Sequence, residues 1–271
     1  MGEVWWLERN PGRHDGLAGL WRLARELRAR RYDRAWLLHD SPRYALALWL
    51  AGVPVTRGYG QGPSRLLLSE PMELPGGTGG RHPIELAGAL LEAYGVPATE
   101  EEPVLPVSPE ADARIGRRFG SLPRPWLALG LGSSEPRKQW GAERFAALAA
   151  RLAREGPWQL LLLGASPERP LAEAVLAAAP GRAHDALDLP IDDTAALLAR
   201  CRGYVGNDTG FLNMAAALGV PSIGLFGGSP PLTHSRRIRV IRPARGEGMA
   251  GIGVEQVAEA VARLGETGDA D

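Results

Sequence analysis

The residues best suited to chemistry in this 271-residue chain lie in a short polar turn between an apolar strand and an apolar helix. Asn207, Asp208, Thr209 and Gly210 form a sharp turn after the strand, and the helix predicted at residues 211–218 ends at a glycine. The first N–H groups of such a helix lack intrahelical partners and carry partial positive charge, which suits a phosphate. A carboxylate repels a phosphate, so Asp208 is expected to face a neutral group such as a sugar hydroxyl. The alternative, that Asp208 or Thr209 only caps the helix, stays open.

A second polar loop, GLGSSEPRKQW, follows the strand predicted at residues 126–130. Ser133 and Ser134 supply hydroxyls, and Arg137 and Lys138 supply positive charge, which together suit a diphosphate. An ammonium ~4 Å from a phosphate oxygen contributes roughly 4 kcal/mol at an effective dielectric constant of about 20, more than a helix end that carries about half a charge. Lys138 is therefore expected to dominate anion affinity, with an ordinary surface lysine as the alternative.

Several other chemistries lack their sequence signatures. The glycines around residue 130 do not complete a GxGxxG fingerprint and no GxxxxGK[ST] loop is present, which argues against nicotinamide and P-loop nucleotide binding. The five histidines are scattered without zinc-ligand spacing, so no metal site is predicted. The single cysteine, Cys201, follows an apolar run and is expected to pack as a small buried group.

Composition indicates a globular chain with balanced charge. Hydrophobic residues make up 45% of it, and 31 basic residues match 31 acidic ones, so net charge does not favour a nucleic-acid partner. No apolar run approaches the roughly 20 residues of a membrane span, and the start MGEVWWLERN is not a signal peptide, which predicts a cytoplasmic protein. A cluster of arginines predicts a solvated helix face or, alternatively, a surface for a membrane or an acidic acceptor. The cluster comprises Arg22, Arg25, Arg28, Arg30, Arg31 and Arg34.

Alternating strand and helix patterns predict parallel α/β structure in both halves of the chain. For the first half, the predicted strands are residues 4–7, 34–39 and 55–59, the helices are 17–31, 43–51 and 83–94, and 60–81 is a loop. The proline-rich segment ATEEEPVLPVSP predicts a boundary between domains 1–107 and 108–271.

The same alternation restarts after that segment. The predicted helices are residues 110–119, 142–155, 171–179, 193–200 and 254–264, and the predicted strands are 126–130, 159–163, 183–187 and 222–226, besides the strand before Asp208. Loops that follow parallel strands gather at one edge of the sheet, where open α/β sheets bind ligands. The two polar loops described above and the loop at residues 164–167 are therefore expected to converge, with Gly227 and Gly228 beside them.

Three segments resemble the glycosyltransferase family that contains the ADP-heptose:lipopolysaccharide heptosyltransferases. NDTGFLNMAAALGVPSIGLFGGSPP looks like the family signature D-[ST]-G-x-x-H-x-A-A-A-x-x-x-P, and GLGSSEPRKQWGAERFAALAARL resembles the loop and helix that hold its phosphate-binding lysine. LRARRYDRAWLLHDSPRYALALWLAGVPVTRGYG looks like the family's acceptor-side domain. The resemblance covers nearly all of the chain and implies a GT-B fold, in which two Rossmann-like α/β domains face a cleft.

The resemblance also implies roles for individual residues. Lys138 would neutralise the donor diphosphate, Asp208 would hold sugar hydroxyls, Thr209 and Gly210 would offer backbone amides to the phosphates, and Leu189 would flank the adenine. The implied donor-binding set is Ser133, Ser134, Lys138, Ser166, Leu189, Asp208, Thr209, Gly210 and Asn213.

The implied reaction is inverting transfer of a heptose-like sugar from an ADP-activated donor to a lipopolysaccharide core or related saccharide, with no cofactor and no required metal. The implied partners are that donor and a lipid-linked saccharide acceptor at the inner membrane surface, with no nucleic acid and no transmembrane segment. A cytoplasmic location, with peripheral contact on the inner face of the inner membrane, follows from the same resemblance.

This sequence departs from the family pattern in three places. Asn213 stands where the signature has histidine, and Ser166 stands where some members have a ribose-binding glutamate, a role that Glu168 or a backbone group would take over. Family members begin with a strand, a glycine-containing loop that bears the catalytic aspartate, and a helix, none of which is recognisable here. The expectation is a truncated first domain with no assigned catalytic base, for which His14 and Asp15 are weak substitutes.

That third departure keeps two alternatives open beside the transferase. One is a nucleotide-sugar-binding pseudoenzyme or truncated inactive member, which binds donor but lacks the base. The other is a different GT-B enzyme, such as a sugar-nucleotide epimerase.

Overall fold

The computed structural model describes residues 5–9, 11–78, 83–97, 102–231, 235–244 and 247–266. These residues form two compact units, 1–100 and 101–271. Val4, His82 and His234 lie outside the described residues, and so do residues 98–101 of the predicted domain boundary.

The first unit is built on a small parallel sheet. Its elements are α1 (Gly16–Arg30), β1 (Arg34–Leu37), α2 (Pro42–Ala51), β2 (Val55–Tyr59), α3 (Ser64–Leu67), β3 (Glu70–Met72) and α4 (Pro83–Ala93). The strands pair in the order β1-β2-β3. Leu20 and Leu23 of α1 share an apolar cluster with Ala47 of α2, and a second cluster contains Tyr59 of β2 and Leu90 of α4.

Two sequence predictions for the first unit were wrong. Residues 5–9, which include most of the first predicted strand, form no strand. Trp5 instead packs edge-on against His14, and the guanidinium of Arg30 lies 4.8 Å from the centre of the Trp5 ring. Residues 60–81 were predicted as a loop but contain α3 and β3. β3 is only three residues long, includes Pro71 and exposes two of its three side chains, so it carries no alternating apolar pattern.

The second unit continues the alternation of strands and helices. Its elements are α5 (Pro109–Phe119), β4 (Trp126–Gly130), α6 (Ala142–Glu155), β5 (Gln159–Leu163), α7 (Arg169–Ala178), β6 (Ala183–Asp185), α8 (Ile191–Ala199), β7 (Gly203–Asn207), α9 (Gly210–Ala217), β8 (Ser222–Leu225), β9 (Ile238–Ile241) and α10 (Val254–Glu266). Over its described residues, the unit has a six-stranded parallel sheet in the order β6-β5-β4-β7-β8-β9. The predicted α/β class is confirmed.

The strand order reverses between β4 and β7. From β4 the chain winds outward through β5 and β6, and it then returns to place β7 on the opposite side of β4. At such a point the loops that follow the two central strands turn apart and leave a crevice for a ligand. The two polar loops identified in the sequence follow β4 and β7, with Gly130 and Gly206 in register at the ends of these strands.

Alternate side chains of β4 enter different apolar cores. Leu127 and Leu129 belong to the core that α6, α7 and α10 cover, whereas Trp126 and Ala128 belong to the core that α5, α8 and α9 cover. A central strand covered on both faces needs a continuous apolar sequence, which is why β4 and β5 were predicted with correct bounds.

The edge strand β9 was missed for the opposite reason. Arg239 lies within it and is exposed, and further arginines flank it on both sides, so no continuous apolar run marks the strand. Among the described residues, no helix combines the length and the apolar character needed to cross a bilayer.

Candidate functional site

Asn207, the last residue of β7, ties the end of that strand to the loop that follows β4. Its side chain is fully buried. Its Nδ2 donates to the carbonyl oxygens of Leu131 at 2.9 Å and Gly132 at 3.2 Å, and its Oδ1 accepts from the N–H of Trp140 at 3.0 Å. One amide therefore holds both ends of the loop that carries Ser133, Ser134 and Lys138.

Lys138 belongs to a partly buried ion-pair cluster. Its Nζ lies 2.7 Å from Oε1 of Glu135 and 2.9 Å from Oδ2 of Asp208, and the hydroxyl of Ser229 donates to the same Asp208 oxygen at 2.7 Å. The Lys138 side chain is 16% exposed and that of Asp208 is 14% exposed. These four residues are called the lysine cluster below. Lys138 is thus not an ordinary surface lysine, which was the alternative left open by the sequence.

The lysine cluster keeps Lys138 protonated. Burial works to lower the pKa of Lys138, but its hydrogen bonds to Glu135 and Asp208 outweigh burial and raise that pKa above the ordinary value. The hydrogen bond from Lys138 is the main cause that lowers the pKa of Glu135. Arg137 also pairs with Glu135, so two cations face two carboxylates. A phosphate that approaches Lys138 therefore competes with two carboxylates for its positive charge.

Gly228 lets the loop after β8 lie directly against the 3₁₀ turn Pro136–Lys138. A Cβ at this position would come 2.3 Å from the carbonyl oxygen of Arg137, and the Arg137 guanidinium donates to the Gly228 carbonyl. Any larger residue would push this loop away. The glycine therefore brings the adjacent Ser229 within hydrogen-bonding distance of Asp208.

The amino terminus of α9 stands beside the lysine cluster without a side-chain cap. Thr209 occupies the N-cap position but makes no capping hydrogen bond, and the hydrogen bonds of the Asp208 carboxylate, among the described residues, go to Lys138 and Ser229. The capping alternative is thus wrong for both residues. The first N–H groups of an α-helix have no intrahelical acceptor, so this end remains suited to an anion.

A cavity of about 590 Å³ opens beside the same loops, a volume that suits a small-molecule ligand. Glu168 lies within its wall, where its Oε2 accepts from the N–H of Ala165 at 2.8 Å. The residues that line the cavity are Gly132, Ser133, Ser134, Pro136, Gln139, Ala165, Pro167, Glu168, Leu171, Thr209 and Phe211. Three of the nine residues in the implied donor-binding set line the cavity, namely Ser133, Ser134 and Thr209. The cavity wall contains both polar and apolar side chains.

Three other residues of that set have different surroundings. Ser166 is exposed and donates to Oδ1 of Asp188 at 2.9 Å, and Leu189 packs against the core that contains α8. Asn213, in the second turn of α9, has a buried Oδ1 without a hydrogen-bond partner among the described residues. A buried amide oxygen without a donor is unfavourable.

The residues considered as substitute bases have structural partners in the first unit. His14 is buried; its Nδ1 accepts from the N–H of Glu8 at 3.0 Å and its Nε2 lies 3.1 Å from Oε2 of Glu26. The carboxylate of Asp15 accepts from Arg9 at 2.9 Å and from the N–H of Gly12 at 2.8 Å. These contacts hold the loop before α1, which favours structural roles for both residues.

Cys201 packs as the sequence predicted. It is buried, its Sγ donates to the carbonyl oxygen of Leu197 at 3.3 Å, and burial raises the pKa of its thiol to about 12. The part of the chain that the structure describes contains no group of three or more His, Cys, Asp or Glu residues arranged to hold a metal ion.

Sequence reasoning missed three residues of this site. Glu135 precedes Lys138 by three residues, a spacing at which a carboxylate and an ammonium meet, and this signal was available in the sequence. Asn207, at the end of an apolar strand, was interpreted only as part of a turn. Ser229 has no sequence signal, because its role depends on the packing of Gly228.

Comparison with known proteins places this geometry in a family. A family model described as Glycosyltransferase family 9 (heptosyltransferase) matches residues 20–241. The lipopolysaccharide heptosyltransferase 2 of Escherichia coli (strain K12) is 30% identical over 236 residues, which cover 80% of this chain and 67% of that protein.

Solved structures agree with the sequence match. The structure of E. coli ADP-heptose lps heptosyltransferase II aligns with 93% of this chain and 82% of its own, with a TM-score of 0.75 and 29% identity. The glycosyl transferase family 9 structure from Veillonella parvula DSM 2008 covers 94% of this chain and 80% of its own, with a TM-score of 0.79 and 24% identity, and shows the shared fold. The GT-B class is confirmed, and these relatives favour a sugar transferase over the pseudoenzyme and epimerase alternatives.

Replacement of Asn207 by leucine is expected to destabilise the second unit by roughly 1 to 3 kcal/mol, because buried backbone groups of Leu131, Gly132 and Trp140 lose their partner. Asn213→Leu is the matched control and should cost less, since it removes an amide oxygen that has no partner. Urea unfolding of both variants measures the difference. Equal destabilisation by the two substitutions would contradict the role given to Asn207.

Replacement of Glu135 by glutamine is expected to tighten the binding of ADP severalfold, because the ammonium of Lys138 then has one fewer carboxylate to release; the gain is modest because Glu135 is partly exposed. Glu143→Gln, on the exposed start of α6, changes the net charge equally and should leave affinity unchanged. Isothermal titration calorimetry with ADP measures both. Weaker binding by the Glu135 variant would show that this carboxylate supports the anion site.

Proposed function

The chain belongs to glycosyltransferase family 9, and from this membership we propose that it transfers a heptose-like sugar from an ADP-activated donor to a lipopolysaccharide core or a related saccharide acceptor. The observation that carries the proposal is the position of Lys138. Lys138 lies on the loop that follows β4, at the strand-order reversal, and its ammonium is 2.9 Å from the carboxylate of Asp208, which directly follows β7. This arrangement suits a ligand that combines a diphosphate with a sugar.

The lysine itself supports this assignment. Lys138 is the only lysine in the sequence, and each of the other basic residues among the 31 is an arginine. An ammonium is a compact point charge that reorients easily, whereas the planar guanidinium of arginine prefers fixed bidentate partners. A cation that must move from two carboxylates to a diphosphate is better served by the ammonium.

The proposed donor contacts follow from the geometry around Lys138. Lys138 and the free N–H groups at Thr209 and Gly210 bind the diphosphate, and Asp208, once released from Lys138, accepts hydrogen bonds from sugar hydroxyls. Ser133 and Ser134 contact the nucleotide from the cavity wall. Ser166, Leu189 and Asn213 complete the proposed set: Leu189 flanks the adenine, and Ser166, or Glu168 in its place, meets the ribose.

The proposed reaction is a single inverting displacement. The oxygen of an acceptor hydroxyl forms a bond to the anomeric carbon and gives up its proton, while the bond from that carbon to the diphosphate oxygen breaks. Negative charge then grows on the departing diphosphate. Lys138 and the amino terminus of α9 are already positioned at this charge, and a preorganised positive environment stabilises the transition state more than it stabilises the substrate.

The site of action belongs to the same proposal. The relatives act, by their names, on lipopolysaccharide or its donor. We therefore place this enzyme in the cytoplasm, in peripheral contact with the inner face of the inner membrane, where a lipid-linked acceptor is available. The proposal also keeps the predicted domain division at 107/108, with the acceptor bound by the first half of the chain and the donor by the second.

Lys138→Ala is expected to weaken donor binding by roughly 2 to 3 kcal/mol, the range for loss of a charged hydrogen bond, and to lower transfer further because the departing diphosphate loses its cation. Calorimetry with ADP-heptose and a transfer assay with a lipopolysaccharide-core acceptor measure the two effects. Lys138→Arg keeps the charge and should fall between the wild type and the alanine variant. Donor binding that does not change in Lys138→Ala would overturn the diphosphate assignment.

The same assays separate transfer from mere binding. Donor binding with product formation supports the proposed transferase, whereas binding without any transfer to the saccharide acceptor contradicts it. Conversion of the sugar nucleotide to an isomer in the absence of acceptor would instead identify an epimerase. Product analysis by mass spectrometry and NMR distinguishes these outcomes.

Because Lys138 is the only lysine, amine-selective acetylation reports on it directly. Bound ADP-heptose is expected to slow the modification of Lys138 severalfold, since the diphosphate covers Nζ, whereas acetylation of the α-amino group at the chain terminus should not change. Mass spectrometry of proteolytic peptides measures both rates in one sample. Equal modification of Lys138 with and without donor would show that the donor does not reach the lysine cluster.

A further inference from the structure

The arginine cluster of the first unit is not neutralised by neighbouring carboxylates. Residues 22–34 contain six arginines. Five of them make no ion pair with any residue that the structure describes: Arg22, Arg25, Arg28, Arg31 and Arg34. The only hydrogen bonds from these side chains, within the described ranges, are those of Arg22 to the carbonyl of Arg13 at 3.1 Å and of Arg28 to the carbonyl of Ala51 at 3.3 Å.

Apolar side chains share the exposed face of α1 with these arginines. Leu17 is 80% exposed and Trp21 is 60% exposed, whereas Leu20, Leu23 and Ala24 on the opposite face are buried. The exposed positions recur with helical spacing and form one continuous stripe. The stripe, called the α1 outer face below, comprises Leu17, Ala18, Trp21, Arg22, Arg25, Arg28 and Ala29.

A face adapted only to water has little use for an exposed tryptophan and leucine among several arginines. A helix that lies on a membrane surface combines aromatic and aliphatic side chains, which enter the boundary between headgroups and acyl chains, with arginines that pair with anionic lipid. Tryptophan in particular favours that boundary, because its ring is apolar and its N–H is polar. The composition and the unpaired charge of the α1 outer face match this pattern.

We propose that the α1 outer face docks the protein on an anionic lipid bilayer. The inference rests on the proposed function in one respect, since a lipid-linked acceptor makes such docking useful: it holds the enzyme where its acceptor is concentrated. Trp21 and Leu17 enter the headgroup region, and Arg22, Arg25 and Arg28 pair with anionic headgroups. The attraction falls off within a Debye length, about 8 Å at physiological salt, so docking is reversible and sensitive to salt.

The test is co-sedimentation of the full chain, without donor or acceptor, with vesicles of phosphatidylcholine alone or mixed with phosphatidylglycerol. The wild type is expected to bind the mixed vesicles and to leave them at high salt. The double substitution Arg22→Glu with Arg25→Glu should lower the partition coefficient on the order of tenfold or more. Leu17→Ser with Trp21→Ser should lower it as well, with less dependence on salt.

A matched control distinguishes the effect of the α1 outer face from the effect of net charge on vesicle binding. Arg117→Glu with Arg237→Glu replaces two exposed arginines of the second unit, neither of which is in an ion pair with a described residue, and should bind vesicles like the wild type. Thermal unfolding checks that all variants fold. Equal vesicle binding by the α1 double variant and the wild type would overturn the proposal, and so would equal loss in the control variant.

A transfer assay with a deacylated, soluble acceptor tests the membrane proposal separately from the proposed function. The α1 variants should retain wild-type transfer in solution and lose it only when the acceptor is embedded in vesicles. If Arg22→Glu with Arg25→Glu loses solution transfer but binds vesicles normally, the face contacts the acceptor saccharide and the membrane proposal is wrong. If vesicle binding behaves as expected and no variant transfers sugar, docking stands and the proposed function fails.

Discussion

The buried amide of Asn207 is the contact on which the geometry of the candidate site depends. Its three hydrogen bonds join the end of β7 to both ends of the loop after β4, across 67 to 76 residues of sequence. A loop of this length, rich in small and polar residues, would otherwise have many conformations, and its ordering has a large entropic cost. With its ends fixed, the short 3₁₀ turn places Lys138 next to Asp208, and the glycines after β8 bring Ser229 to the same point.

The positive and negative charges of the lysine cluster are balanced, which suits exchange with a charged ligand. Lys138 in a partly buried position needs a counter-charge, and in the free protein Glu135 and Asp208 supply it. A diphosphate can take over that function, so binding exchanges one ion pair for another and does not desolvate an isolated charge. Under the proposed function, the exchange also frees Asp208 for the hydroxyl groups of the sugar. The same residues thus balance the charge of Lys138 and, under the proposed function, bind the donor's diphosphate through Lys138 and its sugar through Asp208.

The two kinds of cation in this chain have separate tasks. The single lysine lies where, under the proposed function, its partner changes on donor binding. The arginines are spread over surfaces or hold fixed contacts, such as that of Arg200 with Asp112 at 2.6 Å. On α1, Arg22, Arg25 and Arg28 make no ion pair with a described residue and lie beside exposed apolar side chains. A guanidinium is weakly hydrated and binds phosphate in a bidentate manner, properties that suit a lipid headgroup as proposed for the α1 outer face.

The features that could be predicted from the sequence are those whose signals lie within one secondary-structure element. Continuous apolar runs determined β4 and β5, and glycine stops determined the ends of several helices, because these signals lie within one element. The short strand β3 and the edge strand β9 escaped prediction, since Pro71 and Arg239 interrupt any apolar period. Lys138 and Asp208 were each predicted as ligand contacts, and their loops were expected to converge, but no sequence pattern indicated that the two side chains form an ion pair.

The sequence by itself determined the α/β class, the family resemblance and the polar loops after β4 and β7, because residue type and spacing encode these directly. Only the tertiary structure decided that the side chain of Asn207 is buried and hydrogen-bonds the loop after β4. It also decided that neither Asp208 nor Thr209 caps α9, and that Glu135 pairs with Lys138. Each of these outcomes depends on which strands are neighbours in the sheet. The pairing of β4 with β7 joins residues far apart in sequence, and no local pattern of residues specifies it.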